Sequence, residues 1–352
     1  MLYRNLELYN VAEVFPAEDG KGFRLSRLPE SVRQAVNPAA QAAALHAAGC
    51  EIRLNLKPGA SIRLVLQTDS TKFAWEKGGL LEVLHGCFQA SWHFIGNEPT
   101  EITVSAPATR IALSKITGKA KLPYDANLTR LVLPYRPALR LLEVDGGEWS
   151  PPEPAQVPAR RLLIYGTSLT HGAWSVRPTE TYAMQLARNL GMDLANLGFG
   201  GSAYYEPAMA DHIAGRRDWD ALLLESHNLA GVIGPEEFRK RFSYYLKTIS
   251  AAHPDKWIFC TSLFMVSEKF HGLLASDAAR LALRRAMEET VSELALPRVR
   301  FIPIRQAFRD PAGLCADLVH PSPPGMAEIA QRLAKIIRGS EREPRMDRES
   351  TR

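Results

Sequence analysis

The sequence predicts an α/β protein, a doubly wound parallel sheet preceded by an antiparallel β-sandwich or jelly roll. Three observations predict it. From Arg160 onward, short apolar runs alternate with segments of helical periodicity, the rhythm of a parallel sheet covered on both faces. Before Gly146, short runs alternate polar and apolar at period two between turn residues, the rhythm of antiparallel sheets. Between them Gly146–Pro158 is dense in Pro and Gly and reads as a linker. A chain of 352 residues has room for about two domains. The expected division is 1–150 sandwich, 151–159 Pro-rich linker, 160–338 α/β domain and 339–352 charged tail.

In the first part, Glu51–Lys57 and Ser61–Gln67 alternate on either side of Pro58-Gly59-Ala60. They are expected to form a hairpin with one wet and one dry face. Further strand-like runs are Leu80–Leu84, Phe88–Phe94, Glu101–Ser105, Arg110–Leu113, Arg130–Pro134 and Leu139–Val144. A helical insertion is expected around Glu30–Ala47.

In the second part the strands are Arg161–Tyr165, Asp193–Leu197, Ala221–Glu225, Trp257–Leu263 and Arg300–Ile304. Helical stripes lie between them: Tyr182, Leu186 and Leu190, closed by Gly191; Phe238, Phe242, Leu246 and Ile249; Leu283, Met287, Val291 and Leu294. Met326, Ile329, Leu333 and Ile336 mark a last helix ended by Gly339.

Composition narrows the function. The formal charge is +5, and the basic residues are scattered without aromatic interleaving, so nucleic-acid binding is not expected. Cys50, Cys87, Cys260 and Cys315 have no Cys-x-x-Cys spacing, which argues against structural zinc. Their scatter fits reduced thiols in a cytoplasmic protein. The N-terminus lacks a basic segment followed by an apolar core, and no run approaches the roughly 18 apolar residues of a membrane span.

The chemistry centres on Leu162-Leu163-Ile164-Tyr165-Gly166-Thr167-Ser168, an apolar strand that ends in a small, turn-prone segment. Open α/β sheets bind ligands at their carboxyl edge, and a serine held there can act as a nucleophile. Alone, the stretch reads more readily as a plain βα turn in which Ser168 caps a helix. Three other loops fall on the same edge. Asp317-Leu318-Val319-His320 follows the fifth strand, so Asp317 can fix the His320 tautomer through Nδ1 and leave Nε2 to take a proton from serine. Asn196-Leu197-Gly198-Phe199-Gly200-Gly201 follows the second strand, and its glycines let a backbone N–H face an oxyanion. Glu225-Ser226-His227-Asn228 follows the third, where the Asn228 carboxamide can donate.

Residues 160–338 thereby resemble the SGNH (GDSL-type) hydrolase superfamily, which carries Ser, Gly, Asn and His in four blocks on a flavodoxin-like sheet. The resemblance implies Ser168 as nucleophile and oxyanion donor, Gly201 and Asn228 as further oxyanion donors, and Asp317 with His320 as the rest of a triad. Two of the blocks depart from the usual pattern. Thr167 stands where Asp usually precedes the serine, and Ser226-His227-Asn228-Leu229 replaces Gly-x-Asn-Asp. A preceding β-sandwich is similar to that of certain carbohydrate esterases.

The expected function is therefore a serine esterase that removes an acetyl or short acyl group from a carbohydrate-like substrate, with no metal or organic cofactor. Its partner is a small-molecule or oligosaccharide ester, and homo-oligomerisation stays open. The alternatives are an acyl transferase using the same triad, or a carbohydrate-binding protein with an inert hydrolase domain. His171 and His227 read equally as substrate contacts or rim residues. Trp174, Tyr204 and Tyr205 read as loop anchors or as surfaces for a sugar or acyl group.

Overall fold

A computed structural model describes residues 1–69, 77–226, 229, 232–262 and 277–342. The N-terminal part forms two antiparallel sheets. One orders Leu2–Tyr3, Leu6–Tyr9, Glu51–Leu56, Leu128–Val132, Gly78–His85 and Phe88–Gly96, with Trp149–Ser150 also paired to Glu51–Leu56. The other orders Glu13–Pro16, Phe23–Ser26, Leu139–Gly146, Ser61–Thr68 and Thr100–Ser105. Their facing side chains, among them Ile52, Leu54, Leu81 and Leu131 against Ile62, Leu64, Ile102 and Leu141, close one apolar core.

Three expectations change here. Glu51–Leu56 and Ser61–Thr68 are not a hairpin: they lie in different sheets, and the turn between them is a corner of the sandwich. Nor does Glu51–Leu56 have a wet face. Ile52, Leu54 and Leu56 point into the sandwich, while Glu51 and Arg53 are buried too, because Arg53 reaches Asp193 of the parallel-sheet part. Arg110–Leu113 is not a strand but the start of the helix Arg110–Ala120. Ile111 there is 70% exposed, so no sheet face claims its side chain. The insertion at 30–47 is two short helices, Glu30–Arg33 and Pro38–Ala43. Val36, Ala40 and Ala43 pack into the core of the parallel-sheet part, not into the sandwich.

The C-terminal part is a five-stranded parallel sheet in the order Asp193–Gly198, Arg161–Gly166, Ala221–Glu225, Trp257–Thr261, Val299–Phe301. In chain order this is 2-1-3-4-5, the flavodoxin-like arrangement. Leu163 and Tyr165 face one core with the helices Pro207–Gly215, Pro235–Ala252 and Asp277–Leu294. Leu162 and Ile164 face the other, with Tyr182–Leu190 and Pro323–Arg342. The period-two alternation of one apolar strand thus feeds two cores. The last helix runs past Gly339 to Arg342. Ser340 is buried there and bonds to Ile336 and Arg300, which holds the extra turn in place. The expected extension of the fourth strand to Leu263 and the end of the charged tail, 343–352, lie outside the described residues.

The Pro-rich stretch is docked. Trp149–Ser150 pairs with Glu51–Leu56, and Asn55 Nδ2 donates to Pro151 O and to Gln156 Oε1. Among the described residues, no helix is long and apolar enough to cross a membrane.

Candidate active site

The first parallel strand ends at Gly166, and Ser168 opens a four-residue helix, Ser168–His171. Glycine is required at 166 by packing: a Cβ there would lie 2.5 Å from Glu225 Oε2 and 2.3 Å from Thr170 Oγ1. Ser168 does not cap the helix; the N-cap position belongs to Thr167, whose side chain bonds elsewhere. The Ser168 hydroxyl instead lies 2.8 Å from His320 Nε2.

His320 comes from the segment between Val299–Phe301 and the last helix. Its Nδ1 lies 2.7 Å from Asp317 Oδ2. The other Asp317 oxygen accepts the N–H groups of Val319 and His320, both at 3.0 Å. Leu318, at φ +56, supplies the left-handed residue this tight turn needs. Burial pushes the Asp317 carboxyl upward, but the bonds from His320 and Val319 outweigh it and hold its pKa below the usual value. Asp317 thus stays charged and accepts the Nδ1–H of His320, which turns Nε2 toward the Ser168 hydroxyl. Ser168, His320 and Asp317 are brought together in one hydrogen-bonded line.

Gly201 lies in the loop after the second strand, at φ +69, a conformation suited to glycine. Gly200, Gly201, Ser168 and His320 all line one cavity of about 970 Å³. Among the described residues, neither the Ser168 nor the Gly201 amide has an acceptor, so both are unspent donors. Asn228 and His227 lie outside the described residues. The far wall of the cavity comes from the sandwich, through Gly78–Leu80, Phe94 and Pro134–Pro137. Trp174 stands at its rim, 57% exposed, with its ring 6.4 Å from that of His320. Tyr205, in contrast, is a buried anchor whose ring packs on Tyr165 and Tyr245.

Two residues matter more here than sequence reasoning indicated. Glu225 ends the third strand directly beneath the Ser168 turn. It accepts the Thr167 N–H at 2.7 Å and the hydroxyls of Thr167 and Thr170 at 3.0 Å. Burial pushes its pKa up to about 7, against the opposing pull of those bonds. Its sequence signal is an acid closing an otherwise apolar strand. His171 is buried beneath the second loop and accepts the Gly200 N–H at Nδ1, 2.9 Å away.

Residues 159–338, half the chain, match the family model of the GDSL-like lipase/acylhydrolase family. The chain belongs to that family. Members of this class are acyl-ester hydrolases or acyltransferases, and that coarse description covers this chain. No curated protein matches it. Among solved structures it is similar to the salicylyl-acyltransferase SsfX3 of a tetracycline biosynthetic pathway, at 17% identity and TM-score 0.77, covering 97% of this chain and 96% of that one. A protein from Bacteroides ovatus described as a GDSL-like lipase is 18% identical with TM-score 0.70, covering 95% and 97%. A family two carbohydrate esterase from Clostridium thermocellum, solved with cellohexaose, is 13% identical with TM-score 0.60, covering 96% and 99%. At these identities the likeness concerns the fold. It extends over the sandwich as well as the family region.

Proposed function

We propose that this chain is a serine esterase that forms an acyl-enzyme on Ser168, with an acetyl or short acyl ester of a carbohydrate-like alcohol as its substrate. The observation that carries the reading is the hydrogen-bonded line Asp317–His320–Ser168, which opens into the shared cavity. Ser168 Oγ attacks the acyl carbon while His320 Nε2 takes its proton. His320 then protonates the leaving alcohol, and Asp317 steadies the imidazolium. The amides of Ser168 and Gly201 hold the oxyanion, with the Asn228 carboxamide as a third donor. Water returns along the same route to release the acid.

The carbohydrate part of the reading draws support from the fold shared with a family two carbohydrate esterase and from the Trp174 ring, which offers a flat apolar face beside His320 for a sugar. A second reading, acyl transfer to a bound alcohol, is favoured by the size of the cavity, which has room for an acceptor beside the acyl group. A carbohydrate-binding protein with an inert site has no use for the aligned serine, histidine and aspartate.

Ser168→Ala should lower turnover of p-nitrophenyl acetate by roughly 10⁴-fold or more while leaving the circular-dichroism spectrum and Tm unchanged. Retained turnover in this variant would overturn the nucleophile assignment. Product analysis of an acetylated sugar, with and without an acceptor sugar, separates hydrolysis from transfer.

A further inference from the structure

We infer that His171 is a positioning residue for the oxyanion loop, acting as a fixed hydrogen-bond acceptor that spends the Gly200 N–H and so presents the Gly201 N–H to the cavity. This rests on the esterase reading of the site.

The tautomer follows from the partners. A backbone N–H can only donate, so the His171 Nδ1 that receives it from Gly200 at 2.9 Å carries no proton. The neutral ring therefore has its hydrogen on Nε2, which donates to the carbonyl of Tyr135 at 3.0 Å. His46 Nδ1 lies 3.3 Å from the same Nε2 and shares that hydrogen as a second acceptor. Burial keeps His171 neutral, with His46, Arg27 and Arg136 adding to the effect, and its pKa lies well below the usual histidine value. The acceptor at Nδ1 is thus permanent across the working pH range.

Three segments meet on this one ring. His171 ends the Ser168 helix; Gly200 belongs to the loop after the second strand; Tyr135 belongs to the sandwich wall of the cavity. The fit is close. A Cβ on Gly200 would lie 3.1 Å from His171 Nδ1 and 3.8 Å from Ser168 Cα, so this loop sits against the nucleophile. With the Gly200 amide turned toward His171, the backbone conformation of Gly200 sets the direction of the next peptide, whose N–H, that of Gly201, has no acceptor among the described residues. Oxyanion donors accelerate a reaction only if they are held in place before it begins.

Asn and Gln separate the two ring nitrogens. Asn places an acceptor near the Nδ1 position, whereas Gln places a donor near Nε2. On p-nitrophenyl acetate, His171→Asn should keep kcat within about 10-fold of the parent. His171→Gln and His171→Phe should lose roughly 10²-fold in kcat with KM nearly unchanged, the size expected for one oxyanion donor. Equal losses in all three variants, or losses that follow Tm, would overturn the assignment. A readout without turnover is the ¹⁵N imidazole spectrum of histidine-labelled protein, with the His171 signals identified by their absence in His171→Asn. They should report an Nε2–H tautomer with a hydrogen-bonded, unprotonated Nδ1; an Nδ1–H tautomer or an imidazolium would sink the inference. If the parent shows no Ser168-dependent turnover, the esterase reading fails, while the spectrum still decides the tautomer.

Discussion

At the residue scale, Glu225 sets the terms on which Thr167 and Ser168 are held. Among the described residues no cation pairs with it, and its partners are the backbone amides and the hydroxyls of Thr167 and Thr170. The sign of its contribution follows from its pKa, which is about 7 folded against an ordinary 4.5. Between these values the folded protein holds a proton that the unfolded chain has released. Stability linked to Glu225 is therefore greatest on the acid side and is lost as pH rises through about 7, by on the order of 3 kcal/mol. Denaturation curves at pH 5 and pH 8 should show this loss in the parent and not in Glu225→Gln, which keeps an oxygen for the Thr167 amide. Parallel behaviour of the two proteins would show that Glu225 is not the linked group. At this scale the sequence is legible where a side chain sits in a known block: Ser168, His320 and Gly201 stand around one cavity, and Asp317 lies behind His320. Glu225 and His171 were not, because their importance comes from burial and from partners 58 and 29 residues away.

At the element scale, the second parallel strand delivers its loop to Ser168 through Gly198. A Cβ on Gly198 would stand 2.3 Å from the His171 nitrogen and 2.5 Å from the Thr170 carbonyl carbon, both backbone atoms that cannot swing aside. Gly198→Ala must therefore push the Gly200–Gly201 loop away from the serine helix. The expected cost is about 1–3 kcal/mol in stability, read from the denaturant midpoint, and at least about tenfold in kcat. Gly215→Ala, with nothing within 4 Å of the added carbon, is the control and should be near neutral. Four of the five parallel strands are readable because they are buried on both faces, whereas Val299–Phe301 is only half-buried and carries Arg300. The antiparallel strands were harder. Alternation in Glu51–Leu56 and Ser61–Thr68 marks both as strands but does not say which strand each one pairs with, and a short turn suits a sheet corner as well as a hairpin. Arg110–Leu113 failed because four residues are too few to tell period two from period 3.6.

At the scale of the whole molecule, the cavity exists only because the sandwich sits at a fixed place over the parallel sheet, and a buried charge cluster fixes that place. Arg53 of the sandwich meets both oxygens of Asp193, at the start of the second parallel strand, at 2.7 Å. Tyr124 donates to the same carboxylate at 2.7 Å, and Glu51 bridges Arg53 and Arg130. The cluster balances: Arg53 and Arg130 against Glu51 and Asp193, with Glu7 near its edge at 3.7 Å. Burial raises the cost of an ionised Asp193, but Arg53 more than compensates and holds its pKa below the usual carboxylate value. Removing Asp193 leaves the buried Arg53 guanidinium without the two hydrogen bonds that this carboxylate accepts, which costs about 3–5 kcal/mol. Asp193→Ala should show that loss in urea unfolding. Since Pro134–Pro137 and Gly78–Leu80 form the far wall of the cavity, kcat/KM should fall even where the variant remains folded. Replacing both partners, Arg53→Met with Asp193→Leu, leaves Glu51 and Arg130 as a neutral pair and should recover most of the stability. If the double variant is as unstable as Asp193→Ala alone, the cluster is not balanced in the way the pairing implies, and packing around the two side chains, not their charge, holds the sandwich in place.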